Sequence, residues 1–294
     1  MNILLLGKNG QVGWELQRAL APLGNLVALD RHSTEYCGDL SNPDGIAATI
    51  AAVKPDVIVN AAAHTAVDKA ESEPEVAALL NTLAVAKMAE AAEKVGALLV
   101  HYSTDYVFNG SGEKAWLESD ATEPLSVYGK TKRDGEEAIV SACTNYLIFR
   151  TSWVYAAKGN NFAKTMLKLA KDRDELSVIN DQFGAPTGAE LIADCTAHAI
   201  RRAKEQPQLS GIYHLIASGT TTWHEYAEFV ISTAKVKGIA LQVKKVNPVA
   251  SSAFPTAAKR PGNSRLDSTK FQESFSLNLP DWRSGVQRML DEII

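Results

Sequence analysis

The chain has 294 residues, 46% of them hydrophobic and 22% charged, which is ordinary for a globular protein and long enough for a large buried core. A formal net charge of −4 gives neither nucleic acid nor an anionic membrane a reason to bind, so neither is expected as a partner. Cys37, Cys143 and Cys195 are too scattered for a disulfide framework or metal-ligand spacing, no apolar run is long enough to span a bilayer, and the first strand runs into a glycine loop with no room for a signal peptide. A reducing, cytoplasmic location is the expectation.

Asn2 to Leu6 is a short unbroken apolar run, the pattern of a strand buried on both faces. Gly7-Lys8-Asn9-Gly10-Gln11-Val12-Gly13 follows, and a helix is predicted over 14–23. Strand, glycine turn and helix in that order let a pyrophosphate approach bare backbone at a helix N-terminus. The next strand, 26–29, ends in Asp30-Arg31. An acid there suits the ribose hydroxyls of NAD and an arginine the extra phosphate of NADP, so the pair leaves coenzyme preference open. Asp39-Leu40 reads equally well as an adenine contact or as the turn before a helix at 43–53. A buried strand at 56–60 leads into Ala61-Ala62-Ala63-His64-Thr65, whose small residues let backbone come close to a flat ligand. His64 taken alone reads as a satisfied loop residue.

An alanine-rich helix is predicted over 75–94 and a strand over 98–103, with Thr104-Asp105 at its carboxyl end. Ligands of open α/β sheets bind beyond those ends. The polar loop 108–124 then leads to a helix carrying Tyr128 and Lys132, four residues apart and therefore on one face. Bringing a phenol from a pKa of about 10 to about 7 takes roughly 4 kcal/mol. An ammonium about 4.5 Å away at an effective dielectric of about 20 supplies that much. The pair is therefore expected to be a proton donor whose phenol is made acidic by the lysine.

A strand follows at 146–150, then Thr151-Ser152-Trp153-Val154-Tyr155. Beyond it, helices are predicted at 161–171, 190–203, 223–236 and 281–294, strands at 177–179 and 212–215, and a proline-bearing loop over 247–267. The alternation predicts an α/β fold: a Rossmann-type doubly wound parallel sheet over 1–155, completed by later segments, with a smaller, mixed and discontinuous substrate-binding lobe over 156–294.

Together the glycine turn, Asn60-Ala61-Ala62-Ala63, Ser103-Thr104-Asp105 and Tyr128-x-x-x-Lys132 resemble the extended short-chain dehydrogenase/reductase superfamily. Ser103 to Gly110, Arg150 to Tyr155, Asp181-Gln182-Phe183-Gly184-Ala185-Pro186-Thr187 and Arg260-Pro261-x-x-Ser264-x-Leu266-Asp267 extend the likeness over nearly the whole chain, towards its nucleotide-sugar reductases. The resemblance implies NADPH or NADH as cofactor, with Gly7, Gly10, Gln11, Val12 and Gly13 at the pyrophosphate, Asp30 and Arg31 at the adenosine ribose, and Asp39 and Leu40 flanking adenine. Ala62, Ala63, His64, Thr65 and Tyr102 would line the cofactor further along, with Tyr128 and Lys132 at the nicotinamide end. Thr104, Tyr128 and Lys132 would be catalytic, and Thr104, Asp105 and Trp153 would meet the substrate.

The implied reaction is reduction of the C4 keto group of a dTDP-linked 6-deoxy sugar destined for cell-surface polysaccharide. The resemblance also implies a homodimer and Mg²⁺, for which Glu15, Glu190 and Glu292 are the candidate ligands because hard carboxylate oxygens suit that ion. Two other readings stand beside it: a dehydratase or epimerase of the same superfamily, and a non-catalytic nucleotide-binding regulatory subunit. Superfamily dehydratases carry a glutamate base where this chain has Tyr106, which favours simple reduction.

Overall fold

The computed structural model describes all 294 residues. Strands β1 (Asn2–Leu6), β2 (Asn25–Leu29), β3 (Val57–Asn60), β4 (Leu98–Thr104) and β5 (Tyr146–Thr151) alternate with α1 (Gln11–Leu20), α2 (Pro43–Val53), the helical run α3 (Val67–Ser72), α4 (Pro74–Ala78) and α5 (Ala84–Val95), and α6 (Val127–Ala142). The remaining elements are β6 (Val154–Tyr155), α7 (Phe162–Asp172), β7 (Glu175–Ile179), β8 (Phe183–Gly184), β9 (Thr187–Gly188), α8 (Ala189–Glu205), β10 (Gly211–His214), β11 (Thr221–Thr222), α9 (Trp223–Val236), β12 (Lys245–Val249), α10 (Thr269–Phe275) and α11 (Trp282–Ile293).

The main sheet has the order β10-β5-β4-β3-β1-β2 and every pairing in it is parallel. Its strands are apolar on both faces because both faces are covered. Ile3, Leu5, Val57, Val59 and Val100 point into a core shared with α1 and α8, while Leu4, Leu6, Ile58 and Leu99 point into one shared with α2 and α5. The order reverses at β1, whose neighbours are β2 and β3, so a crevice opens beyond the carboxyl ends of β1 and β3. A third apolar cluster, with Tyr155, Leu167, Tyr226, Val230, Trp282 and Leu290, belongs to the C-terminal lobe.

Two departures from the sequence reading have clear causes. The helix expected over 75–94 contains a π-helical segment, Leu79–Leu83. The widened turn carries the fully buried Asn81, whose Oδ1 accepts from His64 N at 2.8 Å and whose Nδ2 donates to His64 O and Thr131 Oγ1, both at 3.1 Å. The loop expected over 247–267 begins as a strand, because β12 pairs in parallel with β7. That pairing reaches across some seventy residues of sequence and no local pattern announces it.

Candidate active site

The glycine turn is folded tightly against the start of the β3 crossover. Gly7 has φ +89, and a Cβ on it would lie 2.8 Å from the backbone of Ala61 and Ala62, so only glycine fits there. Its amide donates to Leu29 O at 2.9 Å, and Gly10 N donates back to Gly7 O at 3.0 Å, which closes the turn. Helix α1 starts at Gln11 with no side-chain cap, leaving its first amides open. Two buried atoms on this side, Gln11 Oε1 and His64 Nδ1, have no partner within the protein. A bare backbone cradle, open helix amides and orphaned polar atoms fit a dinucleotide phosphate and ribose.

At the end of β2, Asp30 accepts from His32 N at 2.9 Å and from Ser33 Oγ at 3.2 Å, and it also meets Asn9 Nδ2. The His32 amide leads in holding its carboxyl below the usual range. Arg31 is exposed and points towards His32, with Nε 3.1 Å from Nε2. Asp39 caps a turn through Ser41 N at 2.9 Å and Leu40 is buried beside it. This is the turn expected before α2. Ala62, Ala63, His64 and Thr65 follow β3 on the crevice side, and Tyr102 reaches Thr196 Oγ1 at 2.8 Å from β4.

Helix α6 comes in over the carboxyl end of β4. Ser126 caps it by accepting from Gly129 N at 3.1 Å, and Glu71 Oε1 of α3 takes Val127 N at 2.8 Å. Gly129 lies against the Tyr106 carbonyl so closely that any Cβ would clash. This contact brings the Tyr128 ring edge-on to Tyr106, with centroids 5.7 Å apart at 78°. Thr104 Oγ1 donates to Asp105 Oδ1 at 3.0 Å and accepts from Tyr106 N at 3.2 Å, while Asp105 Oδ2 is buried without a partner. Burial raises the Asp105 carboxyl to about 6, against the opposing hydrogen bonds of Ser264 and Thr104.

Lys132 behaves differently from expectation. It is only 2% exposed, and its Nζ donates to Tyr102 O at 2.6 Å and lies 3.1 Å from His101 Nε2. Burial pulls the lysine down to about 8, opposed by Glu136 one turn further along α6. Glu136 is in turn held by Arg150 of β5, with Nη2 to Oε2 at 2.6 Å. The Tyr128 phenol is pushed up, first by burial and then by the Asp105 charge, with only Thr104 opposing. The protein around Tyr128 therefore raises its phenol, where the sequence led us to expect an acidic one. The helix spacing puts the two side chains on one face, but the interior that receives Lys132 offers it a carbonyl and an imidazole.

Trp153 occupies the left-handed region, φ 47, rare for a bulky residue and a sign of a functional constraint. It stacks on Trp223, centroids 3.7 Å apart at 16°, over Gly184, so it is half-buried in an aromatic shelf and not lost in the core. Gln182 fixes the shelf through Trp223 Nε1 at 3.1 Å. From the far side, Arg260 reaches Asp68 at 2.7 Å and the Tyr106 hydroxyl at 3.5 Å, joining the long C-terminal loop to α3.

The acids singled out for a metal do gather, at one cavity that Arg18, Asp194 and Arg288 also line. They do not form a ligand set: no three acid, imidazole or thiol groups converge to hold an ion. Each carboxylate faces a guanidinium instead, Glu15 at 3.5 Å from Arg18, and Glu190 and Glu292 at 3.2 and 3.7 Å from Arg288. Within one chain these residues do not fit Mg²⁺. No helix is long and apolar enough to cross a membrane.

A family model described as the RmlD substrate binding domain matches residues 1–294. A dTDP-4-dehydrorhamnose reductase of Shigella flexneri is 67% identical over 293 residues, covering 100% of this chain and 98% of that protein. The chain belongs to the dTDP-4-dehydrorhamnose reductase family. Family members of known structure superimpose closely. The Clostridium acetobutylicum member gives a TM-score of 0.90 at 33% identity, covering 100% of this chain and 99% of that one. The Bacillus anthracis member, a complex with NADP, gives 0.88 at 33%, covering 99% of each.

Missed by sequence reading were His101, Asn60 and Asn81 as partners of the site, along with Trp223 and Ser264. A histidine directly after the apolar run Leu98 to Val100, inside the same strand, is the signal that marked the first of these, since a polar side chain in a doubly covered strand needs a buried partner.

Proposed function

We propose that this chain reduces the C4 keto group of dTDP-4-dehydro-6-deoxy-L-mannose to give dTDP-L-rhamnose, the last step in making that nucleotide sugar for cell-surface polysaccharide. The observation that carries the reading is Tyr128 and Thr104 standing together over buried Asp105, beyond the carboxyl end of β4 and beside the glycine cradle. Tyr106 occupies the place of a dehydratase's glutamate, and burial holds its phenol near 12, so no base is available to take a proton beside the ketone. That absence favours reduction over dehydration.

NADPH or NADH supplies the hydride when bound, and the chain's own residues do the rest. Gly7, Gly10, Gln11, Val12 and Gly13 take the pyrophosphate, Asp30 and Arg31 the adenosine ribose, and Asp39 and Leu40 the adenine. Ala62 to Thr65, Tyr102 and Lys132 line the remainder. Thr104 orients the keto oxygen, and Asp105 and Trp153 hold the sugar nucleotide. Tyr128 keeps its proton at rest because its phenol is raised. It gives that proton to the oxygen once negative charge builds there, since an alkoxide is the stronger base. A lysine ammonium then stabilises the phenolate left behind. In this division of labour, the parallel sheet of 1–155, with β10, serves the dinucleotide and most of 156–294 the sugar nucleotide.

Purified protein, the 4-keto sugar nucleotide and NADPH or NADH test the reading: reduced-coenzyme absorbance should fall in step with appearance of dTDP-L-rhamnose. No turnover with either coenzyme would overturn it. Homodimerisation and Mg²⁺ form one linked proposal, in which a second copy supplies the ligands that Glu15, Glu190 and Glu292 of a single chain lack. Sedimentation and melting that ignore a chelator would count against it.

A further inference from the structure

Among the buried titratable groups that the mechanism above leaves unused, one touches a residue of the site directly. His101 sits in the middle of β4, 1% exposed, between Asn60 of β3 and Lys132 of α6. Asn60 Oδ1 accepts from Ala62 N at 3.1 Å, which fixes the amide and leaves Nδ2 to face His101 Nδ1, also at 3.1 Å. An amide NH₂ can only donate, so Nδ1 is the acceptor and the imidazole proton resides on Nε2. That proton points at Lys132 Nζ, 3.1 Å away. An ammonium has no lone pair to receive it, whereas a neutral amine does.

We propose that the Asn60–His101 pair is a positioning element for Lys132: it presents an N–H to the lysine nitrogen and thereby sets the pH at which the site loses its ammonium. The proposal rests on the reductase reading of the site. It also accounts for two features that reading left open, a lysine nitrogen placed against an imidazole and a histidine kept in a largely apolar strand. Burial already draws both groups towards their neutral forms, and the Lys132 charge disfavours a second one on His101. The other groups around Lys132 are Tyr128 and Glu136 on its own helix and the Tyr102 carbonyl on β4. Arg150 of β5 neutralises Glu136, and Asp105 and Tyr106 face Tyr128. Of the two groups within hydrogen-bond distance of Lys132 Nζ, the Tyr102 carbonyl can only accept, so His101 alone can present a donor.

Asn60→Asp tests this isosterically. A carboxylate at that place accepts from Nδ1–H, moves the imidazole proton to that side and frees Nε2 to accept from an ammonium. His101→Gln tests it without added charge, because an amide free to rotate can turn its oxygen to the lysine. The readout is the titration of Lys132 in isotope-labelled protein, followed by magnetic resonance, together with the alkaline limb of the pH profile for sugar reduction. Asn60→Asp should move both breaks upward by about one unit or more, the range expected for a new opposite charge nearby. His101→Gln should move them the same way by less. A folded variant of either kind whose Lys132 titrates as in the parent would overturn the proposal. The titration needs no turnover, so a parent that lacks reductase activity counts against the functional reading alone. Should Asn60→Asp fail to fold, His101→Gln decides.

Discussion

The two sides of the active-site crevice are built by different means. On the side proposed for the dinucleotide, strand, turn and helix succeed one another within a few residues, and Gly7 to Gly13 carry both the fold and the candidate cradle. On the side proposed for the sugar nucleotide, Trp153 depends on Gln182 and Gly184 at β8 and on Trp223 at the start of α9, two distant segments whose strands, β8 and β11, are two residues long. A site made from contiguous chain is set by local sterics and by burial on both faces of a sheet. A site made from distant pieces is set by packing, and each of its members reports on the others. The first kind should fail abruptly when one residue changes, and the second should weaken by degrees.

The sharpest break in that comparison comes at Tyr128. Tyr128→Phe keeps the ring against Tyr106 and removes the only directly placed proton, so turnover should fall by about 10²-fold or more. Binding of the dinucleotide should change by no more than one neutral hydrogen bond, about 0.5–1.5 kcal/mol. Single-turnover rates beside a fluorescence titration of coenzyme separate the two. Equal losses in both would mean that the phenol binds and does not react.

Next in size is Asp105, whose carboxyl is raised by burial to about 6 from an ordinary 3.8. A raised acid is a cost, and its sign follows from the protons bound. Between about pH 4 and 6 the folded chain holds the proton and the unfolded chain does not, so this residue's contribution worsens as pH rises through that window. Above it the full cost stands, on the order of 3 kcal/mol at 1.36 kcal/mol per unit. Asp105→Asn should therefore raise the Tm at pH 8 relative to the parent and do little near pH 4, while sugar turnover drops. A gain in Tm that is the same at both pH values would place the cause elsewhere than in the buried charge.

These two residues also show how much of the site could be read in advance. The placement of Thr104 and Asp105 at a strand end and of Tyr128 and Lys132 on one helix was legible because strands and helices are periodic, and periodicity survives folding. What Lys132 would touch was not legible. Its choice between Tyr128 on its own helix and His101 on β4 is made by the depth at which α6 packs, which Gly129 permits by its contact with Tyr106. The parallel sheet was readable from its apolar runs, as were α7, α8, α9 and α11 to within a residue or two at either end. The short strands β6, β8, β9 and β11 were not, since two residues carry no alternation and their partners lie far along the chain.

The aromatic shelf should give a smaller, graded response. Trp223→Ala removes the ring under Trp153 and the Gln182 hydrogen bond, while leaving the glycine cradle untouched. An aromatic pair contributes about 0.5–1.5 kcal/mol beyond its burial, so KM for the sugar nucleotide should rise by roughly tenfold. The coenzyme Kd should hold. A loss of coenzyme affinity of the same size would mean that the two sides are one cooperative unit.

The smallest expected effect tests the dinucleotide side without breaking it. Asp30 closes the β2 turn by accepting from His32 N and Ser33 Oγ, and it stands next to Arg31, whose guanidinium is exposed. A carboxylate at that strand end attracts ribose hydroxyls and repels a 2′-phosphate, while the arginine does the reverse. With both present, NADH and NADPH should be used at comparable efficiency. Asp30→Ala removes the repulsion and one partner of the turn, so NADPH should gain on NADH by a few-fold. The gain stays modest because exposed charges are screened at about 8–10 Å in ordinary salt. Arg31→Ala should move the ratio the other way, and raising the salt concentration should shrink both shifts. The ratio of the two kcat/KM values, measured in parent and variants at two ionic strengths, checks all of this at once. A ratio indifferent to Asp30 would place the adenosine ribose away from the β2 turn and leave Arg31 without a phosphate to read.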